Sequence, residues 1–119
     1  MIRVGSANAG STLRKALNID YRMTEPSEVL AWVDRSLDRL EEIVHRAGEA
    51  GCDVVALPED ILGLSAWEAG NQGALGDVLP EAVVRMLDRL GRAASAHNMY
   101  LIGCNDTLES GGVIVQKLV

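Results

Sequence analysis

Cys52-Asp53-Val54-Val55-Ala56-Leu57-Pro58-Glu59-Asp60 is the stretch on which the fold turns. The apolar run from Val54 to Leu57 predicts a short strand buried on both faces. That is the pattern of an interior strand in a parallel sheet with helices on either side. Pro58 ends the run, because it lacks the N–H that a ladder needs and biases Leu57 toward extended backbone. Glu59 follows at once. Its carboxylate is thereby expected at the carboxyl end of a central strand, the edge where open α/β sheets bind ligands and carry out chemistry.

Upstream, Thr24-Glu25-Pro26-Ser27 is a helix-start signal, with capping hydroxyls, an early proline, and Glu25 and Glu28 near the positive end of the dipole. The helix is expected to run to about Ala50. Val33, Leu37, Leu40, Val44 and Ala47 recur at steps of four and three and form its apolar stripe. Asp38 and Glu42 lie on the wet face, placed for ion pairs of small worth. His45 stands beside that face and reads as a solvated helix histidine. Gly51 is the expected C-cap.

Still further upstream, Met1 to Val4 is a short candidate strand. It runs into the small-residue loop Gly5-Ser6-Ala7-Asn8-Ala9-Gly10-Ser11-Thr12. The spacing of that loop fits a phosphate-cradling pattern except that Ser11 stands where the lysine belongs. A nucleotide-binding module is therefore an alternative function, and a flexible loop the plainer one. Leu13 to Glu25 shows no clean period.

Downstream of Glu59, Asp60 to Gly76 mixes glycines with apolar residues and is expected to be a long loop. Trp67 either lines a substrate pocket there or, the plainer expectation, pins the loop to the body. A second helix is expected from Asp77 and Pro80-Glu81 to about His97, with Val83, Leu87, Leu90 and Ala94 as its stripe. Met99 to Asn105 reads as one strand. Asp106 to Gly112 reads as a turn, and Val113-Ile114-Val115 as the return arm of a hairpin. The order of elements predicts an α/β protein, a layered sheet with flanking helices, in a single domain spanning residues 1–119.

Ala50-Gly51-Cys52-Asp53-Val54-Val55-Ala56-Leu57-Pro58-Glu59 resembles the nitrilase or carbon–nitrogen hydrolase family, whose members run from a long helix through an Ala-x-Gly-x-Asp turn into a strand closing on Pro-Glu. The resemblance extends from Met1 to about Val115. It implies the amino-terminal part of a nitrilase-like α-β-β-α sandwich, a small amide or nitrile as substrate, a homo-oligomer, and no cofactor. It also implies a Glu-Lys-Cys mechanism in which a thiolate attacks the carbon, a lysine stabilises the developing charge and a glutamate acts as general base. The base falls on Glu59. The family's lysine and cysteine lie in later segments, so this chain is expected to be inactive alone, as an incomplete or degenerate member. Lys117 comes too early for the lysine. Cys104 does not match the nucleophile's position and reads as a small buried hydrophobe.

Composition narrows the alternatives. The chain has 119 residues, 48% of them hydrophobic and 24% charged, the balance of a globular protein. A net charge of −6 argues against a nucleic-acid partner, which needs a basic patch. Trp32, Trp67, Tyr21 and Tyr100 are the only aromatics of their kind and there is no Phe, which leaves little for base stacking. No apolar run reaches the length of a membrane span, and no signal peptide follows Arg3. A cytoplasmic location is the resulting expectation. Cys52 and Cys104 make no disulfide framework, and with His45 and His97 isolated in sequence no metal site is expected. A non-catalytic interaction domain that keeps only the fold is the remaining alternative.

Overall fold

The computed structural model describes residues 2–6 and 24–108, and the backbone of 114–118. The chain passes through β1 (Val4–Ser6), α1 (Pro26–Glu49), β2 (Val54–Ala56), α2 (Ser65–Gly70), a 3-10 turn (Gln72–Ala74), α3 (Leu75–Ala96), β3 (Tyr100–Ile102), β4 (Cys104–Leu108) and β5 (Ile114–Leu118). β1, β2 and β3 form a parallel sheet with β2 in the middle. Val4, Val54 and Tyr100 align across it, followed by Gly5, Val55 and Leu101 and then Ser6, Ala56 and Ile102. β4 and β5 form a separate antiparallel ribbon in which Cys104 faces Leu118 along the ladder. The protein is thus α/β, with helices flanking a parallel sheet.

The core is aliphatic, as the scarcity of aromatics requires. In α1, Val29, Val33, Leu37, Leu40 and Val44 are buried; in α3, Val78, Leu79, Ala82, Val83, Met86 and Leu90 are. Each fully buried Val or Leu contributes about 1.5–3 kcal/mol relative to exposure. Ala47 is only half-buried, and the stripe gains Val29 and Ser36 instead. Arg89 fastens the two helices at their rim, donating from Nε to Glu41 at 2.7 Å and from Nη1 to the Asp34 carbonyl at 3.0 Å. Asp38 also turns to Arg89, across to α3, rather than along its own helix.

Both long helices end in the same device. After α1, Gly51 takes φ +80, its N–H bonds the Gly48 carbonyl, and the Cys52 N–H bonds that of Ala47. After α3, Asn98 takes φ 49, its N–H bonds the Ser95 carbonyl, and the Met99 N–H bonds that of Ala94. This is the Schellman pattern, with Gly and Asn at the left-handed position. It reverses the chain within two residues and delivers it into β2 and β3.

Several expectations about the strands and α3 need correction. β1 lies at Val4–Ser6, later than expected, so Gly5 is a strand residue. Its missing side chain has a packing reason: a Cβ there would approach the Cys52 Sγ to 3.0 Å. Strand β2 is not buried on both faces. Val55 is 2% exposed, but Val54 and Ala56 are half-buried, and beside them Val4, Tyr100 and Ile102 are exposed at 72%, 77% and 47%. Helix α3 begins at Leu75, before Pro80, because Leu75, Val78 and Leu79 bury the turn ahead of the proline. Met99 to Asn105 is two strands, broken at Gly103 and assigned to different sheets; a Cβ at Gly103 would overlap Ile61.

His45 is half-buried rather than solvated. Its Nδ1 lies 2.8 Å from His97 Nε2, which fixes the His97 ring over Gly48. A Cβ on Gly48 would overlap that ring. Gly48→Ala, which ordinarily gains up to about 1 kcal/mol in a helix, is therefore expected to destabilise by roughly 1–3 kcal/mol through overpacking. In a His97→Ala background the same change is expected to stabilise. Urea unfolding of the four proteins checks the reversal of sign.

Candidate functional site

The carboxyl edge of the parallel sheet is built around the end of β2. Leu57 continues the strand direction and donates its N–H to the Ile102 carbonyl at 2.8 Å. Pro58 then turns the chain out of the ladder, and Glu59 emerges exposed. The sequence places the carboxylate here for the reason anticipated: the apolar strand is central and the proline stops it.

Asp60 makes the next turn. Its φ of 53 is left-handed, a region that Asp tolerates better than most residues. Its carboxylate accepts the Leu64 N–H at 3.1 Å and the Ser65 N–H at 3.4 Å, and its carbonyl accepts that of Gly63 at 2.9 Å. Burial pushes the Asp60 carboxyl above the usual carboxylate range. Hydrogen bonds from Ser65 and Leu64 oppose that shift, and the Asp106 charge adds to it.

The segment after the turn is stitched to β4. Ile61 donates its N–H to the Cys104 carbonyl at 3.2 Å. Asn105, 1% exposed, accepts the Leu62 N–H on Oδ1 at 3.0 Å and donates from Nδ2 to the Asp106 carbonyl at 2.9 Å. The expected irregular loop from Asp60 to Gly76 is in fact this stitched turn, then α2, the 3-10 turn and the start of α3. Trp67 is fully buried, so it anchors the segment to the core instead of lining an open wall.

Beside Trp67, Glu68 is only 5% exposed. Its pKa is pushed up to about 8, first by burial, then by its hydrogen bond to Asp106 and the charges of Asp106 and Asp60. Neither Glu68 nor Asp106 stood out in the sequence. A signal existed: Leu64, Trp67 and Glu68 fall at i, i+3 and i+4, one helix face, and all three are buried.

The edge therefore gathers Glu59, Asp60, Glu68, Asp106 and the start of β4 with Cys104. Cys104 carries a free, half-buried thiol. Lys117 pairs with Asn105 in the ladder, one step from Cys104. His45 and His97 are not part of this edge. They sit where α1 and α3 feed the amino ends of β2 and β3. A cleft of ≈ 210 Å³ lined by Met86, Leu90, Ala94, Met99 and Leu101 runs along α3 and does not include Glu59.

Of the candidate phosphate loop, residues 7–12 lie outside the described residues, as does the helix start that reading requires. Among the described residues no group of three His, Cys, Asp or Glu side chains is placed to hold a metal ion. None of the described helices is long and apolar enough to cross a membrane. No family model, curated protein or solved structure matches the chain.

Proposed function

We propose that this chain carries the general-base segment of a carbon–nitrogen hydrolase of the amidase or nitrilase type, acting in the cytoplasm on a small amide or nitrile. The observation that carries the proposal is the position of Glu59, three residues beyond the last residue of the central parallel strand and exposed at its carboxyl edge. The Pro58-Glu59 ending and the Ala50-Gly51-Cys52-Asp53 turn give that position its family resemblance. In this chemistry Glu59 takes the proton of an attacking thiol and later that of the hydrolytic water.

The exposed face of the parallel sheet supports the same reading. Parallel sheets are ordinarily covered on both faces. The face bearing Val4, Tyr100 and Ile102 suits a second layer, as an α-β-β-α sandwich or a homo-oligomer would supply.

The test is ammonia release from a panel of small amides, nitriles and carbamoyl compounds by the full-length protein. Activity that Glu59→Gln abolishes is the expected result. Activity indifferent to that change would remove Glu59 from the chemistry.

A further inference from the structure

The cleft beside α3 has two unlike parts. Along α3 and β3 it is apolar, ≈ 210 Å³ walled by Met86, Leu87, Leu90, Met99 and Leu101. It opens into a wider hollow of ≈ 530 Å³, where Asp53, Ser95 and Asn98 replace the aliphatic wall. Gly91, Ala94, Met99 and Tyr100 line both parts, so the two are continuous. Asp53 and Met99 stand just before β2 and β3, so the hollow lies at the amino end of the sheet, away from Glu59.

Gly91 marks the cleft as more than a gap in packing. It lies inside α3, where glycine is less favourable than alanine. A Cβ at position 91 would meet nothing within 4 Å, so the packing of the fold does not demand a glycine there. What a larger residue would occupy is the cleft itself.

The wide end carries one sign of charge. Asp53 is exposed, its Oδ2 accepts the Arg3 N–H at 2.7 Å, and its carbonyl accepts that of Tyr100 at 2.8 Å. These bonds fix the residue and leave Oδ1 for a ligand. No Lys or Arg lines either part. The neighbouring cations are engaged elsewhere: Arg3 Nη1 bonds the Ala50 carbonyl at 2.9 Å, and Arg92 Nη2 bonds Asp88 at 2.6 Å. An apolar wall with a few polar groups at one end is the usual form of a small-molecule site. Here charge complementarity selects a cation joined to an apolar chain. At about 30 Å³ per heavy atom, the share of a water molecule in the liquid, the apolar part holds roughly seven such atoms.

We propose that this cleft is a binding site for a small primary amine bearing an apolar chain, with the chain along α3 beside Gly91 and the ammonium group at Asp53. The site is separate from Glu59 and rests on no reading of the chemistry there.

Titration of the full chain with hexylammonium, 1-hexanol and hexanoate at pH 7, followed by amide chemical shifts in NMR, tests it. Hexylammonium should give saturable shifts at Gly91, Ser95, Asn98 and Tyr100. It should bind about fivefold more tightly than hexanol, the upper range for an exposed ion pair, and hexanoate should bind most weakly. Asp53→Asn keeps an acceptor for the Arg3 N–H and removes the charge, so it should bring the amine down to the affinity of the alcohol while leaving the alcohol unchanged. Gly91→Leu should abolish binding of both and unfold in urea no earlier than the wild type, since leucine favours the helix. Absence of saturable binding by the wild type would overturn the proposal. Equal affinity for all three probes would do the same, as would undiminished binding by a folded Gly91→Leu. Shifts at these residues that follow protein concentration without any probe would instead make the cleft an interface between two copies, and would also overturn it.

Discussion

Truncating Trp67 to alanine is expected to destabilise the protein by roughly 3–5 kcal/mol, the range for buried aromatic-to-alanine changes. Trp67 is fully buried, and with Leu62 and Leu64, also fully buried, it joins the segment after Glu59 to the core formed by α1 and α3. A protein of this size is ordinarily stable by about 5–15 kcal/mol, so this one change removes a large share. Trp67→Phe, which refills part of the volume, should lose less. Trp32 supplies the contrast. It is half-buried, and its Nε1 is buried with no hydrogen-bond partner among the described residues. Trp32→Phe deletes an orphan donor, so the loss of packing is partly offset. Urea unfolding followed by circular dichroism ranks the three variants. A cost below about 1 kcal/mol for Trp67→Ala would mean that the segment is not part of the cooperative core.

The same segment shows where sequence pattern loses its grip. The two long helices were legible because each repeats its apolar step over several turns, and Gly51 marks a stop that only a left-handed residue can make. The place of β2 between β1 and β3 followed from a solid apolar run. Helix α2 spans only Ser65–Gly70, too short for a period to emerge from the glycines around it. Its stability comes from the burial of Leu64 and Trp67 and from the Asp60 carboxylate, which are tertiary facts. The break at Gly103 was hidden for a related reason. Locally, Met99 to Asn105 has the composition of a single strand, and the close approach of Ile61 to Gly103, where β3 ends and β4 begins, is a tertiary contact that composition does not carry. Of the candidate site, Glu59 was legible because the strand and the proline act through neighbouring backbone. Asp106 lies far from Glu68 in sequence, so no local pattern carries its effect on the Glu68 carboxyl.

On the proposed function, replacing Glu59 by glutamine in the full-length protein should lower its turnover of an amide or nitrile by about 10²–10⁴-fold, the usual contribution of a positioned general base. The change keeps size and shape and removes only the proton acceptor. Glu59 is exposed, and surface ion pairs are worth about 0–1 kcal/mol, so the variant should unfold close to the wild type. Lost activity with retained stability separates a chemical role from a structural one. The kinetic form of the loss carries further information. A base that acts only in the transition state lowers kcat and kcat/KM together, whereas a residue that merely binds substrate raises KM. Cys104→Ser belongs in the same experiment, because Cys104 begins the strand whose first carbonyl holds Ile61, two residues beyond Glu59. Retained activity in Cys104→Ser alongside lost activity in Glu59→Gln is the expected pair, and it leaves the nucleophile's role to a residue other than Cys104. Equal losses in both would place the thiol and the carboxylate in one catalytic unit, since groups that act together fail together.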